Sequence, residues 1–125
     1  MVSADTNVWI AHLAGEQAAD VEILAIALRF QRAMMPPPVL SELLSDPDMP
    51  FPHQLDLQSV PRLDVTAGFW ERVGLLRAKL WQKGLRPKLA DTLIAQSCLD
   101  YQVPLLTRDK GFAIFAKHAG LILAK

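Results

Sequence analysis

Apolar residues along the chain fall into short runs that alternate with longer stretches at helical spacing. Val2-Ser3-Ala4 is a short candidate strand. Thr6 or Asn7 then caps a helix carrying Val8, Trp9, Ile10 and Leu13, and Gly15 breaks it. Val21, Leu24, Ala25 and Leu28 predict a helix over 18–32. Ala33-Met34-Met35 reads as a strand. After Pro36-Pro37-Pro38 a helix runs over 39–44, since proline is tolerated in a first turn whose N–H groups lack partners. The proline-rich stretch 45–53 reads as a surface loop or short irregular helix. Leu63 to Thr66 is a weak strand. Phe69, Trp70, Val73, Leu76, Leu80 and Trp81 mark a long helix over 67–83, stopped by Gly84. Another helix spans 88–101, a strand 103–107, a helix 110–118 ended by Gly120, and a last strand 121–123.

Strands alternating with helices of this length predict right-handed crossovers and a parallel sheet covered on both faces, a three-layer α/β/α arrangement. The length of 125 residues and a hydrophobic share of 51% suit one domain over 1–125 with one core, and exclude a disordered chain. Cys98 is the single cysteine, which excludes an internal disulfide framework. No apolar run approaches the ~18 residues that cross a bilayer, and the first residues carry no secretory pattern, so the expected location is the cytoplasm.

The formal net charge is zero, but its distribution is uneven. Residues 1–71 hold three basic and ten acidic residues; residues 72–125 hold ten basic and three acidic ones. The balance therefore swings from −7 to +7, a pattern compatible with a nucleic-acid-binding face or with a solvated helix surface. The densest segment, Arg77 to Lys88, carries five cations and no acid.

In open α/β sheets ligands sit beyond the carboxyl ends of the strands. Asp5 follows the first strand, and Asp109 follows the strand over 103–107. Glu42 lies in the helix after the second strand, and Asp91 in the first turn of the helix over 88–101. Each has an ordinary explanation: a helix cap for Asp5, a solvated position for Glu42, a dipole partner for Asp91, a turn residue for Asp109. Together they bring four like charges to one end of the sheet, where each raises the others' pKa. A divalent cation relieves that repulsion, and an all-oxygen set suits Mg²⁺ or Mn²⁺ better than Zn²⁺.

Asp5-Thr6-Asn7 after the first strand, Leu40-Ser41-Glu42-Leu43, Leu89-Ala90-Asp91-Thr92-Leu93-Ile94-Ala95 and Leu105-Leu106-Thr107-Arg108-Asp109-Lys110-Gly111-Phe112 resemble, in this order, the motifs of a PIN domain. At this length the chain resembles the VapC-type ribonuclease toxins of toxin–antitoxin pairs. The resemblance implies a parallel sheet of about five strands and a Mg²⁺-dependent endoribonuclease. It implies that Asp5, Glu42, Asp91 and Asp109 form the acidic catalytic site. Asp5, Asp91 and Asp109 would ligate the metal, Glu42 would ligate it or orient the attacking water, and Asn7 and Thr107 would be the polar helpers. Two positions depart from the family pattern. The first strand holds Ser3-Ala4 in place of bulkier aliphatics. Ala95 stands where some members carry a further acid, which leaves a second metal poorly supplied.

Cations must rim an acidic site that meets RNA, and Arg86, Lys88, Arg108 and Lys110 flank Asp91 and Asp109. Trp9, Trp70 and Trp81 read as core or interface residues, and His12, His53 and His118 as surface or structural ones. A haloacid-dehalogenase-type phosphatase needs a second acid where Asn7 stands, and a receiver domain needs an adjacent acid pair that is absent. The remaining alternative is a catalytically silent PIN domain that binds RNA or protein. The helices over 7–13 and 18–32 carry more apolar residues than one core-facing stripe uses, and Trp70, Leu75 and Trp81 do the same on the helix over 67–83. The excess predicts a homodimer, and the resemblance assigns an apolar groove near the N-terminal helices to an antitoxin.

Overall fold

A computed structural model describes residues 1–124. Three short parallel strands form the sheet: β1 (Val2–Ala4), β2 (Ala33–Met34) and β3 (Leu105–Leu106), in the order β2-β1-β3. Seven helices surround it: α1 (Thr6–Leu13), α2 (Ala19–Arg29), α3 (Pro37–Leu44), α4 (Phe51–Ser59), α5 (Phe69–Gln82), α6 (Leu89–Tyr101) and α7 (Ala113–Ala119). A 3₁₀ turn, Lys110–Phe112, leads into α7. The expected α/β fold with a parallel sheet is present. In place of five full strands there are three, with single parallel bridges Met35–Arg62 and Leu105–Leu123 extending the two edges.

β1 is buried along its whole length. Its small residues are used. The Ser3 hydroxyl donates to Pro104 O at 2.9 Å and lies 3.1 Å from Cys98 Sγ, so its one proton is spent and the thiol is left to donate. Burial pushes that thiol up to about 12, which keeps the proton on sulfur. α2 packs on β1, β2 and α1, and α6 on α3 and α5. Trp9, Leu24, Met35, Leu43, Leu80, Ile94, Phe112 and Phe115 fill the core.

Three boundaries differ from the pattern. α2 stops at Arg29 because Gln31 adopts a left-handed φ of 55°, which lets Arg32 N–H close onto Ala27 O at 2.7 Å. The stretch read as a strand over 63–66 forms none; the one bridge there lies just before it, at Arg62, after which the chain turns toward Gly68. The proline-rich loop is shorter than expected, and α4 runs on to Ser59 with Leu57 buried beneath it.

Arg72 on α5 ties the α5 entry to α6. Its guanidinium pairs with Asp100 at 2.6 and 3.0 Å, reaches Thr66 Oγ1 at 2.9 Å, and meets Ala67 O at 2.9 Å. Gly68 sits below with φ 83°, and a Cβ there would lie 2.8 Å from Arg72 Nη1. Burial raises the Asp100 carboxyl, but hydrogen bonds from Arg72 and Gln96 outweigh it and hold the group below the usual range. Such a group stabilises the fold above its unfolded pKa and loses that contribution as pH falls through its folded one. Asp100→Ala is expected to cost about 1 kcal/mol at pH 7 after allowance for solvent screening. Urea unfolding at pH 7 and pH 3 checks this, and the deficit should shrink at pH 3.

Candidate metal centre

The parallel pairing of β1 with β3 sets the site. Asp5 N–H donates to Leu106 O at 2.8 Å, so Asp5 leaves β1 directly beside the end of β3. There it caps α1: Oδ1 accepts from Thr6 N–H at 2.7 Å. Oδ2 accepts from Thr107 Oγ1 at 3.1 Å, and that oxygen accepts from Asp109 N–H at 3.0 Å. Thr107 thus fixes both acids. Asp109 caps the 3₁₀ turn, its Oδ1 accepting from Gly111 N–H at 2.8 Å. The ordinary roles of Asp5 and Asp109 as caps are real, but each uses one oxygen for them.

Glu42 reaches the same place from α3, where Thr6 Oγ1 donates to its Oε1 at 3.2 Å. Thr6 is a residue that the sequence reading took only for a cap; its hydroxyl joins Glu42 to the Asp5 turn. Asn7 is exposed in the first turn of α1. Asp91 stands in the first turn of α6 and lines, with Asp109, Gly111, Arg86 and Lys88, an open cleft of about 260 Å³.

Electrostatics link the four acids. Burial raises the Asp5 carboxyl, against the hydrogen bonds of Thr6 and Thr107, and Asp109 adds to the rise. Burial also raises Asp91, followed by the charges of Asp109 and Asp5, with Lys88 opposing and Glu42 adding. Among the described residues no three acidic, histidine or cysteine side chains converge at ligating distance. Their hydrogen bonds turn Asp5 and Glu42 onto Thr6 and Asp109 onto Gly111, an arrangement suited to anions that repel one another. The donor set is wholly hard oxygen, which fits Mg²⁺ or Mn²⁺. Ala95 is buried one turn beyond Asp91 and supplies no further ligand.

The four expected RNA-facing cations differ in circumstance. Arg86 and Lys88 border the cleft. Lys110 opens the 3₁₀ turn. Arg108 is committed elsewhere: its guanidinium meets Asp20 at 2.6 and 3.0 Å and Glu16 at 3.0 Å, and these carboxylates raise its pKa further. The spacing of Arg108 from Asp109 gave no sign of this pairing, because the partners lie some 90 residues away in the chain.

A family model described as PIN domain matches residues 2–118. A crystal structure of VapBC2 from Rickettsia felis bound to a DNA fragment from their promoter is similar in fold. The TM-score is 0.72 at 24% identity, and the match covers 99% of this chain and 98% of that one. No curated protein matches the sequence.

A carboxyl with a raised folded-state pKa supports the fold below its unfolded value of about 4 and loses that support as pH rises through the raised one. Metal-free Asp91→Asn protein is therefore expected to melt higher than the native chain at pH 7, by about 2 °C, the shift that ~0.5 kcal/mol of relieved burial cost and screened repulsion produces at this size. Thermal unfolding in EDTA measures it. The gain should shrink as pH falls and vanish below about pH 3, well under the unfolded pKa, and a lower melting point at pH 7 would contradict it.

Proposed function

Because the chain belongs to the PIN-domain family, we propose that it is a Mg²⁺-dependent endoribonuclease and the toxin of a toxin–antitoxin pair. The observation that supports this reading is the placing of Asp5, Glu42, Asp91 and Asp109, from four separate elements, at one end of the sheet, near enough for the other three charges to act on Asp91, which lines a cation-bordered cleft with Asp109. Asp5, Asp91 and Asp109 would hold the ion, Mg²⁺ or Mn²⁺, which would supply charge neutralisation at the phosphoryl group and a more acidic water. Glu42, oriented by Thr6, ligates it or positions the attacking water and accepts its proton. Thr107 keeps Asp5 and Asp109 in register, and Asn7 supplies a further polar contact beside Asp5. Arg86, Lys88 and Lys110 meet the RNA backbone; Arg108 joins them only by releasing Asp20 and Glu16.

Two further features support partners. Trp9, Leu13, Leu28, Leu57 and Val60 line a groove of about 270 Å³ between α1, α2 and α4. An apolar antitoxin segment fits this groove. Phe51, Leu55, Trp70 and Leu75 are exposed on α4 and α5 and supply apolar area for a homodimer.

Incubating the purified chain with RNA in Mg²⁺ should give cleavage that EDTA and Asp5→Asn both abolish, while circular dichroism of the variant stays native-like. Activity that survives either change would refute the reading. Light scattering at micromolar concentration should return twice the 13.9 kDa chain mass, and a clean 13.9 kDa would exclude the dimer.

A further inference from the structure

Trp81 lies in the last turn of α5 and is 48% exposed. Two guanidiniums stack on its ring: Arg77 Cζ at 5.0 Å from the centroid and Arg86 Cζ at 5.5 Å. Both are held by backbone carbonyls. Arg77 Nη2 donates to Pro87 O at 3.4 Å, and Arg86 Nη1 to Leu85 O at 3.1 Å and Trp81 O at 3.4 Å. Neither is paired with a carboxylate among the described residues, unlike Arg72 and Arg108. A guanidinium ordered on an indole but given no anion keeps its charge for an incoming one. Arg86 also borders the cleft that holds Asp91 and Asp109. The stack is therefore continuous with the acidic site.

We propose that Trp81, with Arg77 and Arg86, is a stacking shelf that positions one unpaired nucleotide of the strand adjoining the acidic cleft. The proposal rests on the nuclease reading and adds positioning residues outside the acidic cluster of that same cleft. Bases stack on aromatic rings and on guanidinium planes, and a duplex hides the faces that such a shelf needs. The phosphates on either side meet Arg86 and Lys88. Charge favours a polyanion over a second copy of the chain. A two-fold contact through Trp81 would set Arg77, Arg86 and Lys88 against the same cations of the partner copy.

The test is binding of a labelled 12-nucleotide single-stranded RNA and of the matching blunt duplex, with Ca²⁺ in place of Mg²⁺. Trp81→Ala should weaken single-strand binding about tenfold, in the range of one lost base stack, and leave the salt dependence unchanged. Trp81→Phe should recover most of the affinity. Arg86→Ala should flatten the log–log salt slope by about one unit. Full single-strand affinity in Trp81→Ala, equal affinity for duplex, or no RNA binding by the native chain would each overturn the shelf. So would a fall to monomer mass in Trp81→Ala, which would make the patch a self-association surface. Mg²⁺-dependent hydrolysis of bis(p-nitrophenyl) phosphate, a diester without a base, separates the two readings. Its retention in Trp81→Ala alongside the binding loss supports the shelf, and its absence from the native chain counts against the nuclease reading alone.

Discussion

The parallel pairing of three-residue β1 between β2 and β3 is the constraint on which the rest depends. Asp5 N–H is bound to Leu106 O, and Thr107 follows Leu106 with no slack. The two carboxylates that flank this seam therefore cannot separate without breaking the ladder. Thr107 Oγ1 accepts from the Asp109 backbone N–H and donates to the Asp5 carboxylate, so one hydroxyl ties the Asp5 anion to the backbone of the Asp109 turn. A slip of one residue in a strand this short would reverse which side chains face the core. Ser3 guards against that slip, because its hydroxyl is satisfied only between Pro104 O and Cys98 Sγ.

The elements that could be read from the sequence are those whose own periodicity decides their structure. α5 shows its buried face in Phe69, Val73 and Leu80, and Gly84 marks its end. The acids could be placed because each follows such an element. What could not be read depends on contacts far away in the chain. α4 buries only Leu57 of its nine residues, so it has almost no stripe, and Pro52 in its first turn disguises it as loop. The outer sheet positions at Arg62 and Leu123 are single bridges, fixed by Met35 and Leu105 rather than by any local strand pattern. The end of α2 was missed because Gln31 takes the left-handed place that glycine usually fills. The engagement of Thr6 with Glu42 is equally hidden, since the spacing offers Thr6 or Asn7 as the cap of α1, whereas Asp5 takes that place and the Thr6 hydroxyl serves a second element.

The uneven charge of the chain acquires a direction once folded. Acidic residues at the start of α2 hold Arg108, so the cation nearest Asp109 on that side presents a neutralised group. On the other side Arg86 and Lys88 border the cleft without carboxylate partners among the described residues, and Arg77 adjoins them through Trp81. At physiological salt, charges act over about 8 Å, so an incoming polyanion responds to these local groups and not to the zero net charge. On the proposed reading, a nucleic-acid strand would approach from the α5–α6 side. An acidic site is repulsive to phosphate at close range, and cations placed on one flank give a strand a preferred line of entry across it. The same physics explains why Arg108 contributes more to structure than to attraction: a guanidinium already bonded to two carboxylates adds little field beyond them, while it fastens the start of α2 to the turn that carries Asp109.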